Sequence, residues 1–411
     1  MNTRQNQSVY IFQFAFLVLS IGLLYSRFMI SLGMIFFLVG ALWDGNLKVK
    51  FGRFLNNKYY LAVTGIFLIF LISGLWSENT DYFLNRMRIK LPFLFLPFAF
   101  FASPKIDKLV MKRLMFLFIG IMLSSAIWST LMFLTDIEHF IEIYKKGQII
   151  PTPIHHVRYS ILISISVLFC IYLILNPLKA LIPKEKTLLL LVILFLTGYS
   201  HLLAVRSGLL TLYIVLACWL FFYIKMKGRP EIAVGLIIGA VIALLLASSY
   251  VPTIRNKIAY TRYSIELFKK NENIRELSDS RRLGSIIAGI ELTKENPITG
   301  VGIGDLMDET NEFLKEHYPD LTDLELLPHN QYILTSTATG IPAMFLFILF
   351  TVLPLFYKKG YGDILIFAGQ MLFFASFMVE HTIESQIGVA VYIFILLFSM
   401  KNRESTESSL P

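Results

Sequence analysis

The chain has 411 residues, of which 56% are hydrophobic and only 16% charged, and its mean hydropathy is +0.66. Soluble domains run near 45–50% apolar and about 25% charged, so this much apolar surface has to face lipid. The same figures exclude disorder, coiled coil and disulfide scaffold, and the two cysteines, Cys170 and Cys218, lie inside apolar runs. The net charge of +9 is what a membrane protein collects as Lys and Arg at the cytoplasmic lipid surface, and calls for no nucleic acid.

In chain order the apolar runs fall at 9–25, 28–43, 59–76, 89–102, 112–134, 157–175, 187–205, 207–224, 231–250, 329–356, 362–379 and 386–400. They predict an all-α integral membrane protein of about twelve transmembrane helices, with some tight turns and with kinks at Pro92, Pro97, Pro342 and Pro354. The first run follows a short polar start with one basic residue, Arg4, and no small-x-small cleavage site precedes Arg27. It therefore reads as an uncleaved span. The division is then residues 1–250 with nine spans, a polar segment 251–328, three spans over 329–400, and a cytoplasmic tail over 401–411.

Orientation follows from Lys and Arg in the short loops. The tails and alternate loops (Arg4, Lys48 to Lys58, Lys105 to Arg113, Lys179 to Lys186, Lys225 to Arg229, Lys358–Lys359, Lys401–Arg403) hold 19 of the 37 basic residues, against eight in the short loops of the other side. Both termini are expected in the cytoplasm, with 251–328 outside. The two sides also differ in kind: 14 of the 19 inner residues are Lys, whereas ten of the 18 outer ones are Arg. Arginine is the residue best shaped to fork onto phosphate or carboxylate. Structural ion pairs are one reading of that excess, and an anionic ligand at the outer face is the other.

The segment 251–328 is too long for a structureless loop. Ile254, Ile258, Thr261, Ile265 and Phe268 recur at helical spacing, with Arg255, Arg262 and Lys269 as a basic stripe. A second helix starts near Ser278 or Ser280, turns Leu283, Ile286, Ile287 and Ile290 to one face, and ends at Glu295-Asn296-Pro297. Gly300-Val301-Gly302-Ile303-Gly304 follows a helix terminator rather than a buried strand, which favours a tight turn over a dinucleotide fingerprint. Asp305 stands where it would cap a third helix running to about His317.

Arg206 sits between two long apolar runs, Arg86 and Arg88 stand just before the run that opens at Ile89, and Arg158 follows His155-His156 at another helix start. Each can snorkel to headgroups, or they can converge on one anion, since ionisable residues at membrane depth are functional candidates. All seven histidines fall on the outer side in this topology. His329 opens a helix, as Pro328-His329-Asn330, where the polar segment re-enters the membrane; cap, packing residue and general base are all open to it. No HExxH, paired CxxC or EF-hand loop appears, so no metal and no cofactor are expected.

Three patches together resemble the bacterial O-antigen ligase and O-antigen polymerase superfamily of membrane glycosyltransferases. Val205-Arg206-Ser207-Gly208 is similar to its arginine-containing helix start. Arg282, followed by Pro297-Ile298-Thr299-Gly300-Val301-Gly302, resembles its Arg and later Pro-x-x-Gly-x-Gly. Pro328-His329-Asn330-Gln331-Tyr332-Ile333, with Gly340 ten residues after the Asn, resembles its His-Asn signature. Ile286, Ala338 and His155-His156-Val157-Arg158 depart from the family's usual residues.

The resemblance implies a GT-C-like membrane fold with one long helical periplasmic loop, in the bacterial inner (cytoplasmic) membrane. It implies transfer of a preassembled glycan from undecaprenyl pyrophosphate to a hydroxyl of the lipid A core at the periplasmic face, inverting and metal-independent. Polymerization onto another lipid-linked repeat, or transfer to a protein hydroxyl, are the alternatives within the superfamily. His329 would be the catalytic base. Arg206, Arg282, Arg88, Arg86, Arg158, His156 and Asn330 would hold pyrophosphate and substrate. A transporter of lipid-linked or polyanionic substrate is the rival from another class, but no inverted repeat shows and the inner membrane half is almost free of ionisable residues.

Overall fold

Every regular element is helical in a computed structural model of the chain, which describes residues 3–43, 45–145, 149–176, 181–228, 231, 235 and 252–407, apart from 271, 273 and 323. The helices up to the polar segment are α1 Thr3–Tyr25, α2 Arg27–Trp43, α3 Leu47–Leu55, α4 Lys58–Ser73, α5 Thr80–Lys90, α6 Pro92–Ala102, α7 Lys108–Thr135, α8 Ile137–Lys145, α9 His156–Leu175, α10 Pro183–Leu203 and α11 Arg206–Lys227. The polar segment carries α12 Pro252–Lys270, α13 Ser278–Glu295 and α14 Leu306–His317. The remainder is α15 Gln331–Thr339, α16 Ile341–Val352, α17 Ile364–Val379 and α18 Gln386–Glu407.

Among the described residues six helices are long and apolar enough to cross a bilayer, or seven if the bent pair Arg27–Trp43 and Leu47–Leu55 is one span. Lys58–Ser73 and Ile364–Val379 are apolar but shorter. The expected twelve are therefore not all found as long helices, and the expected ninth run, 231–250, lies outside the described residues but for 231 and 235. Two other runs are divided by backbone chemistry. The run 89–102 spans the end of α5 at Lys90 and the start of α6 at Pro92; proline fits the first helical turn and not the interior. The run 329–356 breaks at Gly340, whose φ of 83° leaves the helical region before Pro342 restarts it.

The lipid-facing reading of the composition is visible on the surface. Leu194 is 71% exposed, Phe345 62% and Leu131 58%, on three separate helices, and water would penalise each by about 1.5–3 kcal/mol relative to burial. α9 and the apolar length of α18 are instead buried all round, as expected of helices in the middle of a bundle. α18 carries on past the expected boundary at 401. Lys401 is buried, donating to the Ser103 carbonyl at 2.8 Å and pairing with Glu404 at 3.0 Å, and Asn402 donates to Tyr172 Oη at 2.6 Å.

The polar segment has its own small core of Phe268, Ile274, Ala288, Leu314, Leu321 and Leu326. The face of α13 that is buried differs from the expected one. Gly284, Ser285, Ala288 and Gly289 are buried, while Ile290 is 38% exposed. Small residues win here because they let two backbones come close: a Cβ on Gly289 would meet Ile333 Cγ2 at 2.8 Å and Pro328 Cγ at 2.9 Å.

The glycine run is a structural turn. Val301 and Gly302 N–H groups donate to the Thr337 and Ala338 carbonyls at 2.8 and 3.0 Å, and Gly304 N–H donates to Ser77 Oγ at 3.0 Å. It clips the polar segment onto the end of α15 and onto the α4–α5 link. Asp305 stands at the head of α14, but its carboxylate makes no cap there. It accepts instead from the Glu78 and Asn79 N–H groups, at 2.9 and 2.7 Å.

Candidate functional site

Close packing of α13 on the start of α15 sets the geometry. Ser285 lies one turn before Gly289 and meets His329 directly. Ser285 Oγ donates to the Arg282 carbonyl at 2.8 Å and accepts from the His329 N–H at 3.3 Å. His329 Nδ1 is 3.2 Å from the same oxygen. With the hydroxyl proton directed at Arg282, the tautomer that suits this contact has Nδ1–H donating to Ser285 and the lone pair on Nε2. Burial pushes the His329 pKa down to about 4, with the Arg282 guanidinium adding to the effect and the Leu327 carbonyl opposing it. The imidazole is therefore neutral near neutrality and able to accept a proton.

His381 faces this ring edge-on, with centroids 4.8 Å apart. Burial first, and His329 second, hold its pKa well below the usual range; its Nδ1 is buried without a partner. Beside it, Arg282 donates to Glu380 at 2.5 Å. At the outer rim Arg206 forks onto both carboxylate oxygens of Asp279, one contact at 3.1 Å. An open cleft of about 290 Å³ is lined by Arg206, Ser207, Leu210, Asp279, Arg282 and Val379.

Beneath lies the loop between α17 and α18, pinned by buried charge. Glu384 accepts from Lys90 Nζ at 2.6 Å and from Gln331 Nε2 at 3.0 Å. Burial alone would raise its pKa, but Lys90 and Arg86 outweigh that and keep it below the ordinary carboxylate value. Arg86 donates to the Glu384 carbonyl at 3.0 Å, and Arg158 donates to the His381 carbonyl at 3.3 Å. Arg158 Nη1 is buried with no partner.

The structure thus brings Arg282, His329, Arg158 and Arg86 around one loop and joins Arg206 to Arg282 across the cleft. Arg88 is apart from them, exposed on α5: a residue two positions from Arg86 points to the far side of a helix. Asn330 works as a cap, its Oδ1 accepting from the Tyr332 and Ile333 N–H groups at 2.9 and 3.1 Å and its Nδ2 donating to the Met378 carbonyl. His156 stacks on His155 at 4.3 Å. Burial, then Arg158 and Arg282, depress the pKa of His155, which puts this pair beside the cluster.

Sequence reasoning missed Lys90, Asp279, Glu380, His381 and Glu384. A signal existed for three of them. Lys90 follows Arg86 by four residues and so shares its helix face. Glu380 and Glu384 stand alone between two apolar runs, the setting in which an ionisable residue is a functional candidate.

Among the described residues, the ligand atoms of His329, Glu380 and His381 lie within 4.8 Å of one another, a cluster that could offer a metal three donors. Its surroundings oppose a cation: Glu380 is bonded to Arg282, and Arg158 and Arg86 add positive charge. The field favours an anion.

No curated protein matches the chain. Residues 187–348 match the family model described as O-antigen ligase, and this stretch carries Arg206, Arg282 and His329.

Proposed function

We propose that the protein is an O-antigen ligase-type glycosyltransferase. It moves a preassembled glycan from undecaprenyl pyrophosphate to a hydroxyl of the lipid A core at the periplasmic face of the inner membrane. The observation that carries this reading is the junction at Ser285: one hydroxyl ties a neutral histidine to the backbone carbonyl of Arg282. The base is thereby joined through Ser285 to α13, the helix that carries the pyrophosphate anchor. Arg206 and Arg282, lining one cleft, hold the pyrophosphate and offset the charge that grows as it leaves.

The acceptor hydroxyl gives its proton to His329 Nε2 as its oxygen attacks the anomeric carbon. The bond from that carbon to the pyrophosphate oxygen breaks, and undecaprenyl pyrophosphate departs with the electron pair. One displacement inverts the anomeric centre and leaves no sugar on the enzyme. The residues supply a base and an anion clamp, which suffice for this chemistry without a metal. Arg282→Lys keeps the charge and loses the fork, so transfer is expected to fall by about tenfold or more. A wild-type rate in Arg282→Lys would remove the clamp.

Purified protein given lipid-linked glycan and lipid A core tests the activity itself. In cells, loss of the protein should leave lipid-linked polymer unattached, with no ladder on a lipopolysaccharide gel. A band of single attached repeats would mean polymerase instead. The orientation, with both termini inside, rests on the 19-to-8 imbalance of basic residues. Ser278 is exposed at the head of α13, so Ser278→Cys should react with an impermeant thiol reagent added to spheroplasts; protection would reverse the topology.

A further inference from the structure

The fork of Arg206 is already filled. Both of its terminal nitrogens meet the two carboxylate oxygens of Asp279, the same two-pronged pattern a guanidinium makes with phosphate. Thr261 of α12 donates to the same carboxylate at 3.0 Å, so three helices meet at one anion. The pair borders the open cleft shared with Arg282, and the Arg206 side chain is 42% exposed, so a ligand in the cleft has direct access to it. Glu380, the partner of Arg282, is absent from the cleft wall and only 5% exposed. Of the two carboxylates, only Asp279 stands where an incoming pyrophosphate would lie. Burial would raise the Asp279 pKa, but the bond from Arg206 lowers it on balance, so the residue is an anion near neutrality.

We propose that Asp279 is an internal anion that competes with the lipid pyrophosphate for the fork of Arg206 and so speeds release of the polyprenyl pyrophosphate product. This rests on the reading of Arg206 as a pyrophosphate ligand. While the ligand is bound, Asp279 is displaced or shares the guanidinium. When transfer is complete, the carboxylate retakes the fork and the lipid leaves without exposing an uncompensated arginine pair. Apparent affinity is lowered by the fraction of time that the fork is occupied by its own carboxylate. An anchor that held every pyrophosphate tightly would bind substrate and product alike and slow turnover.

The test is binding of inorganic pyrophosphate to the full-length protein in detergent, by calorimetry, together with kcat and KM for a lipid-linked donor. Asp279→Asn keeps the shape and removes the charge. It should bind pyrophosphate about 5-fold to 10-fold more tightly, with kcat and KM falling together. Thr261→Val removes the hydroxyl that seats the carboxylate and should shift affinity in the same direction by a smaller factor; it serves if Asp279→Asn does not fold. Unchanged or weaker pyrophosphate binding in these variants, with Arg206→Ala binding poorly, would overturn the competition and leave the Arg206 clamp standing, with Asp279 merely orienting it. Wild-type pyrophosphate affinity in Arg206→Ala would overturn the clamp and the competition with it.

Discussion

Replacing His329 by alanine is expected to lower transfer by about 10²-fold or more while the protein still accumulates in the membrane and binds donor. The rival role, a helix cap, is already filled: the Asn330 side chain satisfies the first N–H groups of α15. Loss of the imidazole therefore removes the base and spares the helix start. His329→Gln should not rescue, because an amide cannot take the proton. The acidic limb of kcat/KM carries a second check. The free-enzyme pKa is pushed down to about 4, so the limb belongs near that value and not near about 6.5, the ordinary value for histidine. The linkage has the same sign. The unfolded chain binds a proton at about 6.5 and the folded one only near 4. The stability conferred by keeping this ring neutral is complete above about 6.5, falls as pH drops between the two values, and is constant below them. A well-folded His329→Ala variant that transfers glycan at a near-normal rate, or a product of retained configuration, would remove the base from the mechanism.

How much of this was legible beforehand depended on which physical signal each part gives. The three helices of the polar segment were readable because Ile258, Ile265 and Phe268, or Leu283 and Ile287, recur at helical spacing and Pro297 marks a stop. The buried face of α13 was not readable in that way. Hydrophobic periodicity finds large apolar residues, whereas α13 buries Gly284, Ser285, Ala288 and Gly289, for which closeness matters more than hydropathy. In the run 329–356 Pro342 gave a kink, but hydropathy is continuous through Gly340, whose positive φ ends the helix there. Arginines and His329 stood out as charges and ring nitrogens in apolar company. Their carboxylate partners did not, because pairing between residues such as Arg282 and Glu380, 98 positions apart, is set by tertiary packing and leaves no local pattern.

The largest stability effect is expected at Lys90 and Glu384, whose side chains are 0% and 1% exposed and 2.6 Å apart. Lys90→Met leaves the carboxylate buried with its cation gone, and breaking a buried pair from one side costs about 3–5 kcal/mol. Glu384→Gln leaves the ammonium in the same position, over the Phe70 ring at 4.5 Å. Each single variant should therefore melt earlier in detergent and accumulate less in the membrane. The double variant, Lys90→Met with Glu384→Gln, buries no uncompensated charge and should recover most of the loss, because two neutral groups of similar size can replace a buried ion pair at little cost. Its activity should not recover to the same degree. Glu384 also holds Gln331, which accepts from the Ile383 N–H at 3.1 Å. Through it the loop bearing Glu380 and His381 is tied to the helix that begins two residues after His329. With the charge pair gone, that tie is weaker, and the penalty should appear in kcat more than in KM. If the double variant melts no later than the single ones, the pair is not coupled. If it is stable and fully active, the latch stabilises the fold without positioning the base.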